Sequence, residues 1–64
     1  MEEMTTSMKI RGLLASRGWT QTNLSEYLDC TRETISNRLR ADNWSVKDLK
    51  RIAECFNEDV SRLL

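Results

Sequence analysis

A chain of 64 residues with no proline, two glycines and 39% hydrophobic residues is sized for one small domain, and its make-up favours helices over a turn-rich β fold. Ten Lys and Arg balance ten Asp and Glu, histidine is absent, and the two cysteines (Cys30 and Cys55) lie far apart without metal-type spacing, which argues against a structural zinc site. No apolar run approaches membrane-spanning length and no leader resembles a secretion signal, so the expectation is a cytoplasmic chain with reduced thiols.

Residues 1–7 carry no pattern and read as a flexible N-terminal segment, although Thr5, Thr6 and Ser7 are all plausible N-caps. The domain proper is expected over 8–64. Ile10, Leu13 and Leu14 set one buried stripe on a first helix from about Met8 to Arg17, with Met8 at its edge and Gly18 as a left-handed stop. Trp19 follows as an apolar anchor. Thr20 caps a second helix opened by Gln21, whose inner face is Leu24, Tyr27 and Leu28. Asp29-Cys30-Thr31 is too short for anything but a sharp turn, and aspartate tolerates left-handed geometry. Thr31 then caps a third helix from Arg32 to about Arg40, held to the core by Ile35 and Leu39.

Ala41-Asp42-Asn43 reads as a loop and Trp44 as a second anchor. Ser45 to Asp48 is a variant capping box, with Asp in place of the usual Glu or Gln. A fourth helix follows to about Cys55 or Phe56, with Val46, Leu49, Ile52, Ala53 and Phe56 inward. Asn57-Glu58-Asp59 breaks it, and Asp59 caps a last short helix ending in Leu63 and Leu64. The expected fold is all-α, a compact bundle of five short helices.

The second and third helices, joined by a tight turn, form the pattern on which function rests. A helix meant for the major groove of DNA must bury one stripe and leave the opposite face polar and reachable. Arg32, Glu33, Ser36, Asn37 and Arg40 fall on one broad arc of the third helix. Arginine suits guanine O6 and N7, asparagine suits adenine N6 and N7, a carboxylate accepts from cytosine N4, and a small serine lets the helix sit deep. Arg32, Glu33, Ser36 and Asn37 are the candidate base readers. Gln21, Thr31, Arg38 and Arg40 are the candidate phosphate contacts. Each has a plainer role beside it. Glu33 suits a helix N-terminus through the dipole, Thr31 is first a cap, and Arg32 and Arg40 can simply be solvated. Lys47, Lys50 and Arg51 read as a solvated face, with one phosphate contact as the alternative. Trp19, Tyr27, Trp44 and Phe56 read as core anchors.

Charge distribution agrees with this face. Six basic residues (Lys9, Arg11, Arg17, Arg32, Arg38, Arg40) stand against three acidic ones (Glu26, Asp29, Glu33) between Lys9 and Arg40. The remainder of the chain is acidic. No histidine, no phosphate-cradling glycine loop and no nucleophile–base pair supports an enzyme, a cofactor or a small-molecule substrate.

Trp19-Thr20-Gln21, Leu24-Ser25, Leu28, Thr31-Arg32-Glu33-Thr34-Ile35-Ser36, Trp44-Ser45 and Val60…Leu63-Leu64 together resemble the lambda-repressor-like, Cro/C1-type helix-turn-helix domains. The resemblance covers about Met8 to Leu64. It implies a four- or five-helix bundle whose third helix reads the major groove, with Arg32, Glu33, Ser36 and Asn37 at base-facing positions and Gln21, Thr31 and Arg38 at or beside phosphate-facing ones. It further implies a Cro-like phage or prophage repressor acting as a homodimer on a palindromic operator. Departures from the family pattern are Ser25 where alanine is usual, Asp29 where the turn glycine is usual, Arg38-Leu39-Arg40-Ala41 at the end of the third helix, and Glu58 at a usually apolar position. Leu63 and Leu64 are open to two uses, a dimer seam or closure of a monomer core. Neutral net charge keeps a second function in play, a protein-interaction module such as an antirepressor binding another regulator.

Overall fold

The computed structural model describes residues 4–64, which fold as α1 (Thr6–Arg17), α2 (Gln21–Tyr27), α3 (Arg32–Ala41), α4 (Val46–Cys55) and a C-terminal 3-10 turn (Val60–Arg62). Every α-helix opens on a hydroxyl cap. Thr5, Thr20, Thr31 and Ser45 hold extended backbone and accept from the N–H three residues on (Met8, Asn23, Thr34, Asp48), each at 3.1 Å. Every α-helix also ends on a left-handed residue: Gly18, Asp29, Asp42 and Asn57. The residue after each then donates its N–H back five positions: Trp19 to Leu14, Cys30 to Ser25, Asn43 to Arg38, and Glu58 to Ala53. Only one of these ends uses glycine. Asp and Asn at the other three tolerate a conformation that other side chains resist, which is how a chain with two glycines ends four helices.

These ends correct several boundaries. α1 begins at Thr6 because Thr5 supplies the cap, so Thr6 and Ser7 belong to the helix and not to a flexible segment, and Ser7 is buried. Residues 1–3 lie outside the described residues. α3 runs through Ala41, one residue into the expected loop, because Asp42 is its left-handed end. The expected fifth helix is a single 3-10 turn, closed by Arg62 N–H to the Asp59 carbonyl and Leu63 N–H to the Val60 carbonyl, both 2.9 Å. A 3-10 turn rises faster per residue than an α-helix, and here it carries Leu63 into the core within the few residues left after Asn57. The described fold is therefore four helices plus a 3-10 turn.

One cluster forms the core: Ile10 and Leu14 of α1, Leu24 of α2 and Leu28 just after it, Ile35 and Leu39 of α3, Leu49, Ile52 and Ala53 of α4 and Phe56 just after it, and Leu63. Trp19 packs edge-on against Phe56 (5.0 Å between centroids) and Tyr27 (6.3 Å), tying α1, α2 and α4 at their ends. Leu63 is buried and closes the core, whereas Leu64 is exposed. Val46, expected inward, is 60% exposed because it is the first residue of α4, where the helix has not yet met its neighbours. Met8 is likewise exposed. Among the described residues no helix is long and apolar enough to cross a membrane.

A polar knot joins the first turn of α1 to the end of α3. Asp42 Oδ1 accepts from the Ser7 backbone N–H (2.9 Å) and the Ser7 hydroxyl (2.7 Å), and Ser7 Oγ accepts from Trp44 Nε1 (2.9 Å). α1 has no acidic residue in its own first turn, so Asp42 supplies from elsewhere in the chain the negative charge that a helix N-terminus favours. The Ser7 hydroxyl, then the Ser7 backbone N–H, hold the Asp42 carboxyl below the usual aspartate value.

This sets a pH dependence. A carboxyl whose pKa is lowered on folding contributes stability that is present above its unfolded value, about 3.9, and is lost as pH falls through its lower folded value. Asp42→Asn keeps the size and the left-handed tolerance but removes the charge. The gap between wild type and this variant in urea midpoint should be widest near neutral pH and should close on acidification through that range.

Candidate nucleic-acid interface

α2 and α3 are the most closely packed pair of helices, and their contact decides which side chains stay free. Leu24 and Ser25 of α2 and Leu28, the residue that follows it, are buried, as are Ile35 and Leu39 of α3. Ser25 is 3% exposed and donates its hydroxyl to the Thr22 carbonyl of its own helix (2.7 Å), so a serine in place of alanine brings no unpaired polar group into the contact. Thr20 and Asn23 form a reciprocal capping box at the start of α2, with Thr20 N–H donating to Asn23 Oδ1 at 2.9 Å. Thr20-x-x-Asn23 carries this signal in the sequence, with Asn in place of the usual Glu or Gln.

With Ile35 and Leu39 inward, helical spacing of about 100° per residue turns Asn37 directly outward with Glu33 and Arg40 beside it, sets Ser36 to one side, and leaves Arg32 bordering the buried stripe next to Leu39 at the first turn. Arg32, Glu33, Asn37 and Arg40 are exposed and Ser36 is half-buried. Glu33, Ser36 and Asn37 thus share one accessible face with Arg40, as the helical spacing predicts, and Arg32 joins it from the edge of the buried stripe, where it is exposed. Arg40 falls between Glu33 and Ser36 around the helix, and its Nη2 donates to Asn37 Oδ1.

The candidate phosphate contacts divide. Thr31 is exposed at the N-terminus of α3, its hydroxyl occupied by the Thr34 N–H and 2.9 Å from the Thr34 hydroxyl. Gln21 is half-buried at the first position of α2. Arg38 turns the other way, toward α4, where Nη1 is bonded to the Asp48 carboxylate. That pairing explains why the Ser45–Asp48 cap is not a reciprocal box. Asp48 N–H reaches Ser45 Oγ, but the Asp48 side chain bonds Arg38 instead of the cap's backbone.

Arg51 also departs from the solvated face expected of α4. Its Nη2 and Nη1 donate to the carbonyls of Tyr27 (2.8 Å) and Leu28 (3.5 Å), and its guanidinium lies 5.4 Å from the Tyr27 ring centre. It closes the C-terminal end of α2, where the carbonyls have no partner within the helix and a cation is favoured. Glu58, at a usually apolar position, is kept half-buried by Arg17 (3.8 Å) and Arg62 (3.9 Å). Lys47 and Lys50 remain exposed. Trp19, Tyr27 and Trp44 are half-buried against the core and Phe56 is buried, as expected of anchors.

Elsewhere the chemistry is quiet. Burial pushes the Cys55 thiol up, away from the reactive thiolate form. Among the described residues no group of His, Cys, Asp and Glu could hold a metal ion. A shallow groove of about 300 Å³ lies between α4 and the 3-10 turn, lined by Lys50, Ala53, Glu54, Glu58, Asp59 and Val60. Its three carboxylates outnumber the one lysine, a balance unsuited to phosphate.

Replacing Arg51 by Met keeps the aliphatic stem but leaves the α2 carbonyls without their charged donor. The expected loss is about 1–3 kcal/mol of unfolding free energy, read from a lower urea midpoint at unchanged slope.

Comparison with known proteins adds the family. No curated protein and no solved structure matches the chain. A family model described as helix-turn-helix matches residues 10–63, a span bounded by two residues that are themselves core, Ile10 and Leu63. With α2, the turn at Asp29 and α3 inside that match, the chain belongs to the Cro/C1-type helix-turn-helix family of DNA-binding transcriptional regulators.

Proposed function

We propose that this protein is a sequence-specific reader of double-stranded DNA, a Cro-like phage or prophage repressor that lays α3 in the major groove of an operator. The observation that carries the reading is the outward face of α3, where Arg32, Glu33, Asn37 and Arg40 are exposed beside Ser36 while Ile35 and Leu39 hold the helix from behind. Arg32 and Asn37 offer the hydrogen-bond patterns suited to guanine and adenine, Glu33 an acceptor for cytosine, and Ser36 the small surface that lets the helix approach. The exposed N-terminal end of α3 at Thr31, with Gln21 at the start of α2, is the proposed phosphate clamp.

Neutral net charge shapes the mechanism. With Arg38 neutralised by Asp48 and Arg51 spent on α2, fewer cations are available for counterion release, so affinity draws more on base contacts and on two copies. A homodimer on a palindromic operator meets that need. It would set two α3 helices about 34–36 Å apart, one turn of duplex. The same neutrality supports a second reading, an antirepressor-like module binding another regulator. That reading requires a stoichiometric protein complex that persists when the outward face of α3 is replaced by alanine.

The test is selection of duplexes from a random library at a fixed salt concentration, followed by Asn37→Ala. The variant should bind the selected duplex more weakly by about 1–3 kcal/mol and lose discrimination at one base pair per half-site. Retention of full discrimination would remove Asn37 from the reading face. Asp48→Asn should free the Arg38 guanidinium, and the slope of log affinity against log salt should steepen by about 0.9 for each phosphate gained.

A further inference from the structure

We propose that Arg40 acts as a positioning residue for Asn37, so that the two form one reading unit on α3; this rests on the DNA-reading function proposed above. Arg40 stands one turn after Asn37, at i+3, where two helical side chains meet. Its Nη2 donates to Asn37 Oδ1, and both residues are exposed on the outward arc. Among the described residues the ion pairs join Arg17 and Arg62 to Glu58 and Arg38 to Asp48, and none of them involves Arg40. It is held by a neutral amide on the proposed reading face.

The chemistry of the contact fixes more than a distance. An asparagine side chain can present its oxygen and nitrogen in either order, and only one order reads a given base edge. Arginine has donors and no acceptor, so its contact selects the order in which Oδ1 faces Arg40. The amide oxygen keeps a second lone pair and Nδ2 keeps its hydrogens. That leaves one acceptor and one donor side by side, the pair that adenine N6 and N7 require. Holding the amide before binding also removes part of the ordering cost of contact. Arg40 thereby contributes to discrimination at the base that Asn37 reads, in addition to any attraction its charge exerts on phosphate.

A double-mutant cycle on the selected duplex tests this, with Asn37→Ala, Arg40→Ala and the double variant measured against all four base pairs at the position where Asn37→Ala loses its preference. Arg40→Ala should flatten the preference at that same pair and weaken binding by roughly ten-fold. The double variant should bind more tightly than the product of the two single losses predicts, since the two residues act together. Equal weakening on all four duplexes with additive losses would overturn the role, leaving Arg40 as a phosphate contact alone. A second measurement needs no DNA. Side-chain amide relaxation of Asn37 in the free protein should show greater mobility in Arg40→Ala than in wild type, and equal mobility would overturn the pairing. Selection of no duplex by the wild type would sink the DNA-reading function itself, whereas a selected duplex with additive losses sinks only the part assigned to Arg40.

Discussion

The docking of α3 on α2 is the constraint on which the rest of the molecule depends. α3 is ten residues long and buries only Ile35 and Leu39, about one contact per turn. Two aliphatic side chains cannot hold an isolated helix of that length in water, because short helices draw their stability from packing. α2 meets α3 through a buried end in which Ser25 is small and internally bonded, so the backbones can come close without leaving a polar group unpaired. Once that contact is made, helical geometry leaves no choice about the other face. Glu33, Asn37 and Arg40 must point away from the core.

Polar devices then hold the pair from three sides. Arg51 reaches from α4 to the end of α2, Asp48 holds Arg38 near the end of α3, and Asp42 ties the last turn of α3 to the first turn of α1. Each joins helix ends, where backbone groups lack partners of their own. Among the described residues no buried side-chain nitrogen or oxygen lacks a hydrogen bond. A domain this small has a limited apolar core, and the left-handed Asp29, Asp42 and Asn57 let short helices stop sharply enough for that core to close.

The same devices account for the charge balance. Arg17, Arg38 and Arg51 look alike with Arg32 and Arg40 in the sequence, but the first three are turned to Glu58, Asp48 and the α2 carbonyls. Cations serving structure cannot serve phosphate at the same time. The outward face of α3 is therefore rich in hydrogen-bonding groups and modest in free charge, a combination suited to reading a surface more than to gripping it.

Much of this was legible in the linear chain. The caps at Thr20, Thr31, Ser45 and Asp59, the stop at Gly18, the turn at Asp29 and the apolar positions Ile10, Leu24, Ile35, Leu39 and Ile52 are local signals, because capping and periodicity act within one or two turns. The exposed arc of α3 followed from the same periodicity. Tertiary structure alone decided the partners of the long polar side chains. Nothing near Asp42 in sequence indicates that Ser7, far earlier in the chain, receives it, and nothing near Arg38 or Arg51 distinguishes an inward guanidinium from an outward one. Position on a helix sets the direction in which a side chain leaves. Where a flexible arginine ends is set by the neighbouring helices, and in this protein those neighbours placed Arg38 against Asp48 and left Arg40 beside Asn37.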